Sequence, residues 1–67
     1  MKISARNQLK GKVTEIQEGV VTAKVVVDIG GNMITSMISM DSVKDLGIKV
    51  GSDVTVVIKS TSVMLMA

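Results

Sequence analysis

The chain has 67 residues, eight Lys and Arg against six Asp and Glu for a net charge of +2, and no Cys, His or aromatic residue. Those absences exclude disulfides, thiol and imidazole metal sites, a Ser-His-Asp triad or Cys nucleophile, and aromatic platforms for stacking bases. The length allows one domain, residues 1–67, whose lone core would supply little more than ~3–5 kcal/mol.

With disulfides and the common transition-metal ligands removed, partner subunits are the expected support for so small a fold. Hydrophobic residues make up 46% of the chain and its mean hydropathy is +0.47, yet no apolar run approaches the ~20 residues that span a bilayer. Met1-Lys2-Ile3-Ser4 leads straight into polar sequence, so no secretory leader is expected and the cytoplasm is the expected location. The basic excess is slight and spread along the chain, which argues against nucleic acid and suits a small anion equally well.

The first expected strand is the alternating stretch from Gln8 to Thr14, with Leu9, Gly11 and Val13 on one face. The next apolar residue is Ile16, so the phase slips near Glu15, the signature of a bulge that curls a sheet. Glu18-Gly19 is a turn. The second strand carries Val21, Ala23, Val25, Val27 and Ile29 on one face and Val20, Thr22, Lys24, Val26 and Asp28 on the other. Gly30-Gly31-Asn32 is a hairpin turn, because Gly and Asn accept positive φ. Met33 to Ile38 forms the third strand.

Ser39 to Gly47 breaks the strand period. Ser39 or Asp41 can cap a short helix, Val43 and Leu46 lie three apart, and Gly47 fits the position just past its end. Val50 to Asp53 is a turn, and Val54, Val56 and Ile58 form the inner face of a fourth strand. Beyond Lys59-Ser60-Thr61-Ser62, Val63 and Leu65 suggest a short fifth. The expected fold is all-β, a five-stranded OB-like Greek-key barrel with one short helix between strands three and four.

Phosphate-binding Gly-rich motifs are absent, and the carboxylates lie beside turns or on polar faces without hard-metal spacing. What remains is donors at element ends: Ser4-Ala5-Arg6-Asn7 opening strand one, Ser39 and Ser42 at the helix start, and Lys59 to Ser62 at the end of strand four. Cationic and hydroxyl donors, with the free N–H groups of a helix start, suit a tetrahedral oxyanion. The same residues have a plain reading as helix caps, a polar turn and a surface charge, and spacing alone does not choose among oxyanions.

Ser4-Ala5-Arg6-Asn7-Gln8-Leu9 with Gly11, and Ile58-Lys59-Ser60-Thr61-Ser62-Val63-Met64, resemble the Mop or molbindin family. Val21-Thr22-Ala23, Ile34-Thr35-Ser36, Asp41-Ser42-Val43 and Leu46-Gly47 extend the resemblance over essentially the whole chain. It implies an OB-like barrel that binds molybdate or tungstate without being an enzyme, serving molybdenum storage, buffering or delivery. It further implies a homohexamer, a trimer of dimers, with oxyanions held between subunits. No covalent cofactor or direct metal ligand is implied, since the metal is bound only as its oxyanion.

The site residues carried over by the resemblance are Ser4, Ala5, Arg6, Ser39, Ser42, Lys59 and Ser60. Ser39 stands where the family often has Thr, which keeps the hydroxyl. A second family site on the threefold axis has no assignable residues here. Two alternatives remain at this stage, a nucleic-acid-binding OB module and a molybdopterin-binding protein. The lack of an aromatic residue to stack a base or a pterin weighs against both.

Overall fold

The computed structural model describes residues 6–67, so the expectations for Ser4 and Ala5 lie outside the described residues. Its elements are β1 (Asn7–Glu18), β2 (Thr22–Asp28), β3 (Met33–Ser39), α1 (Met40–Leu46) and β4 (Asp53–Ile58), followed by a 3₁₀ turn at Ser60–Ser62. The strands form one antiparallel sheet in the order β3-β2-β1-β4.

β1 is shared by two halves of that sheet. Its first part pairs with β4, from Asn7↔Ile58 to Lys12↔Asp53. Its second part pairs with β2, from Lys12↔Asp28 to Glu18↔Ala23. The expected bulge lies between Val13 and Glu15, and it lets both Val13 and Ile16 face the core. Gly11 permits the bend at close quarters. A Cβ there would lie 2.6 Å from both the Asp28 carbonyl oxygen and Val27 Cγ1, so β1 passes β2 with room for a hydrogen only.

Turn chemistry holds the ends. Asp28 Oδ1 accepts the N–H groups of Gly30 and Gly31 at 2.9 and 2.8 Å. Both glycines have φ near +101°, a value that L side chains resist. Asp28 is half-buried, and the Gly31 and then the Gly30 N–H bond hold its carboxyl below the ordinary value. Ser39 caps α1. At the other end Gly47 has φ 65°, and its N–H and that of Ile48 close back on Lys44 O and Val43 O. This is the Schellman arrangement.

The buried core is small: Val13, Ala23, Val25, Val27 and Val43, with Ile16, Ile29, Ile38, Met40, Ile48, Val54 and Val56 packed around it. α1 lies over the inner face and contributes Val43. Much apolar side chain stays outside, including Val20, Val21, Met33, Met37, Leu46 and Val50.

Two expectations change. Val21 belongs to the loop before β2 and is 72% exposed, because the sheet ladder starts one residue later. The described residues form four strands, not five. Residues 63–67 carry the alternation of a strand but find no sheet edge within their own chain, and an unpaired strand is not stable in water. The barrel is accordingly half closed, with the outer edges of β3 and β4 open among the described residues.

Candidate functional site

Antiparallel pairing decides which donors meet. Asn7 opposes Ile58 in the β1–β4 ladder, so the next step outward sets Arg6 opposite Lys59. Asn7 Nδ2 also donates to the Ile58 carbonyl at 3.3 Å, tying the start of β1 to the end of β4. Arg6, Lys59 and Ser60 are all exposed there. Two cations and a hydroxyl thus sit at one end of β1 with no carboxylate among them. The sequence marks Asn7 as one donor of the opening motif, but not its partner, the Ile58 carbonyl.

Ser39 and Ser42 form the second group. Ser39 ends β3 and is the N-cap of α1, its Oγ accepting the Ser42 N–H at 3.0 Å. The two hydroxyls are 2.9 Å apart. One hydroxyl proton closes that bond and the other is left to donate outward. The helix start itself offers less than expected. Of its first-turn donors, the Met40 N–H goes to Val21 O at 2.8 Å and the Ser42 N–H to the cap. Asp41 adds a negative charge in the same turn.

The two groups are apart. Ser39 pairs with Thr22, next to the Ala23↔Glu18 pair at the far end of β1. Arg6 and Lys59 flank the near end. At about 3.3 Å per residue, the path along β1 from Arg6 to Glu18 is about 40 Å. One chain therefore brings Arg6, Lys59 and Ser60 together, and Ser39 with Ser42, but not the one group with the other.

The remaining charges belong to other places. Lys12 and Asp53 form an exposed ion pair at 3.6 Å, worth little when both partners are this solvated. An open hollow of about 650 Å³ beside it is lined by Lys10, Gly11, Asp28 and Thr55 among others. It offers both signs of charge and no enclosed donors, so it is a poor anion site. Among the described residues no cluster of acidic side chains could hold a metal ion, and no helix is long and apolar enough to cross a membrane.

Comparison with known proteins covers nearly the whole chain. The TOBE domain family matches residues 3–65. Molybdenum-pterin-binding protein 1 of Clostridium pasteurianum is 63% identical over 68 residues, spanning 100% of both chains. The solved structure of a molybdate-binding protein from Sporomusa ovata superposes with a TM-score of 0.95 at 42% identity, again over 100% of both chains. The cytoplasmic molybdate-binding protein ModG, solved with molybdate bound, matches with a TM-score of 0.90 at 42% identity. That match covers 96% of this chain and 46% of ModG.

Proposed function

The chain belongs to the TOBE domain family, and on that premise we propose that it binds molybdate, or the nearly isosteric tungstate, at junctions between copies of itself. The role that fits is cytoplasmic storage, buffering or delivery of molybdenum. The observation that carries the junction is the separation of the donors. Arg6 and Lys59 stand at one end of β1 and Ser39 and Ser42 at the other, so a site using both needs a second copy. Its exposed apolar side chains suit burial in such contacts, and a homohexamer built as a trimer of dimers is the proposed assembly.

Arg6 and Lys59 offset the charge of the dianion, Ser60 donates a hydroxyl hydrogen bond, and the Ser39–Ser42 pair donates the one proton not spent between them. Ser4 and Ala5 join them by the family motif. Molybdate exposes four acceptor oxygens and no donor, which matches a ring made only of donors. Phosphate near neutral pH is partly protonated, and its O–H would go unpaired at a cost of about 1–3 kcal/mol. Sulfate has shorter bonds, which a rigid ring reads as a mismatch in distance. A pterin ring would need a stacking face, and the chain has no aromatic residue, so the free oxyanion is the ligand proposed.

Isothermal titration with molybdate, tungstate, sulfate and phosphate tests this reading. Heat of binding is expected with the first two and much less with the others. A flat trace with molybdate at micromolar protein would sink it.

A further inference from the structure

We infer that Asn7 is a positioning residue of the oxyanion site: its side-chain amide fastens the end of β1 to the end of β4 and so sets the spacing of Arg6 and Lys59. For its ligand this rests on the oxyanion reading above; the fastening itself does not. The charges along the β1–β4 ladder show why a fastening is needed. At one end Lys12 opposes Asp53, and their side chains form an ion pair at 3.6 Å. At the other end the register sets Arg6 opposite Lys59, one step beyond the last pair, Asn7↔Ile58. Like charges directly opposite one another on neighbouring strands are destabilising. A ladder shaped for stability alone would not finish on such a pair.

Asn7 is placed to oppose that repulsion. Its Nδ2 donates to the Ile58 carbonyl at 3.3 Å, across 51 positions of sequence. Lys59 is held from its other side as well, because the Ser62 N–H closes on the Lys59 carbonyl at 2.9 Å. Its own backbone stays extended. Among the described residues one other side chain ties two strands by a hydrogen bond, Thr14 Oγ1 to the Val26 carbonyl at 3.3 Å. That bond lies at the bulge between Val13 and Glu15. Both ties therefore stand where the backbone ladder is weakest, one at an interruption and one at an end.

The spacing matters because both cations must reach one small anion. Arg and Lys side chains are long and flexible, and their charged ends swing apart in water. Opposed Cβ atoms held about 5 Å apart let both side chains converge on neighbouring oxygens of a tetrahedral dianion. Two unit charges about 5 to 10 Å apart in water shift an opening equilibrium about four- to twofold, and one hydrogen bond is enough to offset that.

Asn7→Leu keeps the side-chain volume and removes the donor. In hydrogen exchange on the full chain without oxyanion, at about 10 mM salt where screening is weak, amides of residues 7–9 and 56–58 should exchange about three- to tenfold faster than in wild type. Lys59→Gln, which removes the repulsion, should slow them about two- to fourfold. Equal rates in Asn7→Leu and wild type would overturn the fastening, with or without a ligand. Molybdate titration reads the positioning. Asn7→Leu should bind about three- to tenfold more weakly than wild type, with its melting temperature within a few degrees. In a Lys59→Gln background the same substitution should change affinity less than twofold, because the spacing no longer has a second cation to serve. An equal loss in both backgrounds, or none in either, would overturn the positioning role. A wild-type protein that binds no molybdate would sink the ligand reading instead, while the exchange rates still decide the fastening.

Discussion

Ser39 serves two roles, and one substitution separates them. As the cap of α1 its Oγ accepts the Ser42 N–H at 3.0 Å. In the proposed site it also contributes to the donor ring. Asp ranks with Ser as a cap, and its charge at a helix start is favourable by about 0.3–1 kcal/mol. Ser39→Asp should therefore leave the melting temperature within a few degrees of wild type. The same carboxylate repels an incoming dianion. Charges of −1 and −2 at about 5 Å repel by about 1.7 kcal/mol at the dielectric of water, and by several times that in a partly buried junction. Since 1.4 kcal/mol is a factor of ten, molybdate affinity should fall more than tenfold. Ser39→Ala is the mirror control: it loses the cap, costing about 1 kcal/mol, but adds no charge. Thermal melts and molybdate titrations on the two variants read the roles separately. A Ser39→Asp protein that binds molybdate as tightly as wild type would refute the placement of Ser39 at the site. One that melts far below wild type would refute the interchangeability of the caps.

Other outcomes follow from the same geometry. Arg6→Ala and Lys59→Ala each remove a charge-assisted donor worth about 1.5–3 kcal/mol. Molybdate should then bind roughly ten- to a hundredfold more weakly, with the mass by light scattering unchanged. Gly11→Ala forces a Cβ to within 2.6 Å of the Asp28 carbonyl oxygen. Such overpacking costs about 1–3 kcal/mol, and an unshifted urea midpoint would show that β1 and β2 do not approach so closely. Asp28 supplies a pH test. Its carboxyl is held below its ordinary value of 3.8 by the Gly31 and Gly30 N–H bonds. The stabilisation it gives is present above that value and is lost as pH falls through the lower folded one. In urea titrations at several pH values, Asp28→Ala should be less stable than wild type near neutral pH, and the gap should close in strong acid.

Much of the fold was legible because it is local. The slip of phase between Val13 and Ile16 is enough to require a bulge. The Gly30-Gly31 pair tolerates the positive φ of the hairpin turn, and Ser39 and Gly47 mark the ends of α1 by capping chemistry alone. The alternation of Val54, Val56 and Ile58 likewise identifies an inner face, whatever lies opposite. The family is also carried by sequence, over residues 3–65.

What the sequence left open is which parts meet. Val63 and Leu65 have the period of a strand, but alternation records a tendency to pair and not the edge that will be paired. The fold leaves them exposed and leaves the groove between β3 and β4 open. The donors at the ends of elements were likewise visible as residue types. Only the antiparallel register sets Arg6 beside Lys59 and sends Ser39 to the far end of β1. Hydrogen-bond ladders between segments distant in sequence fix those distances, and no local pattern encodes them.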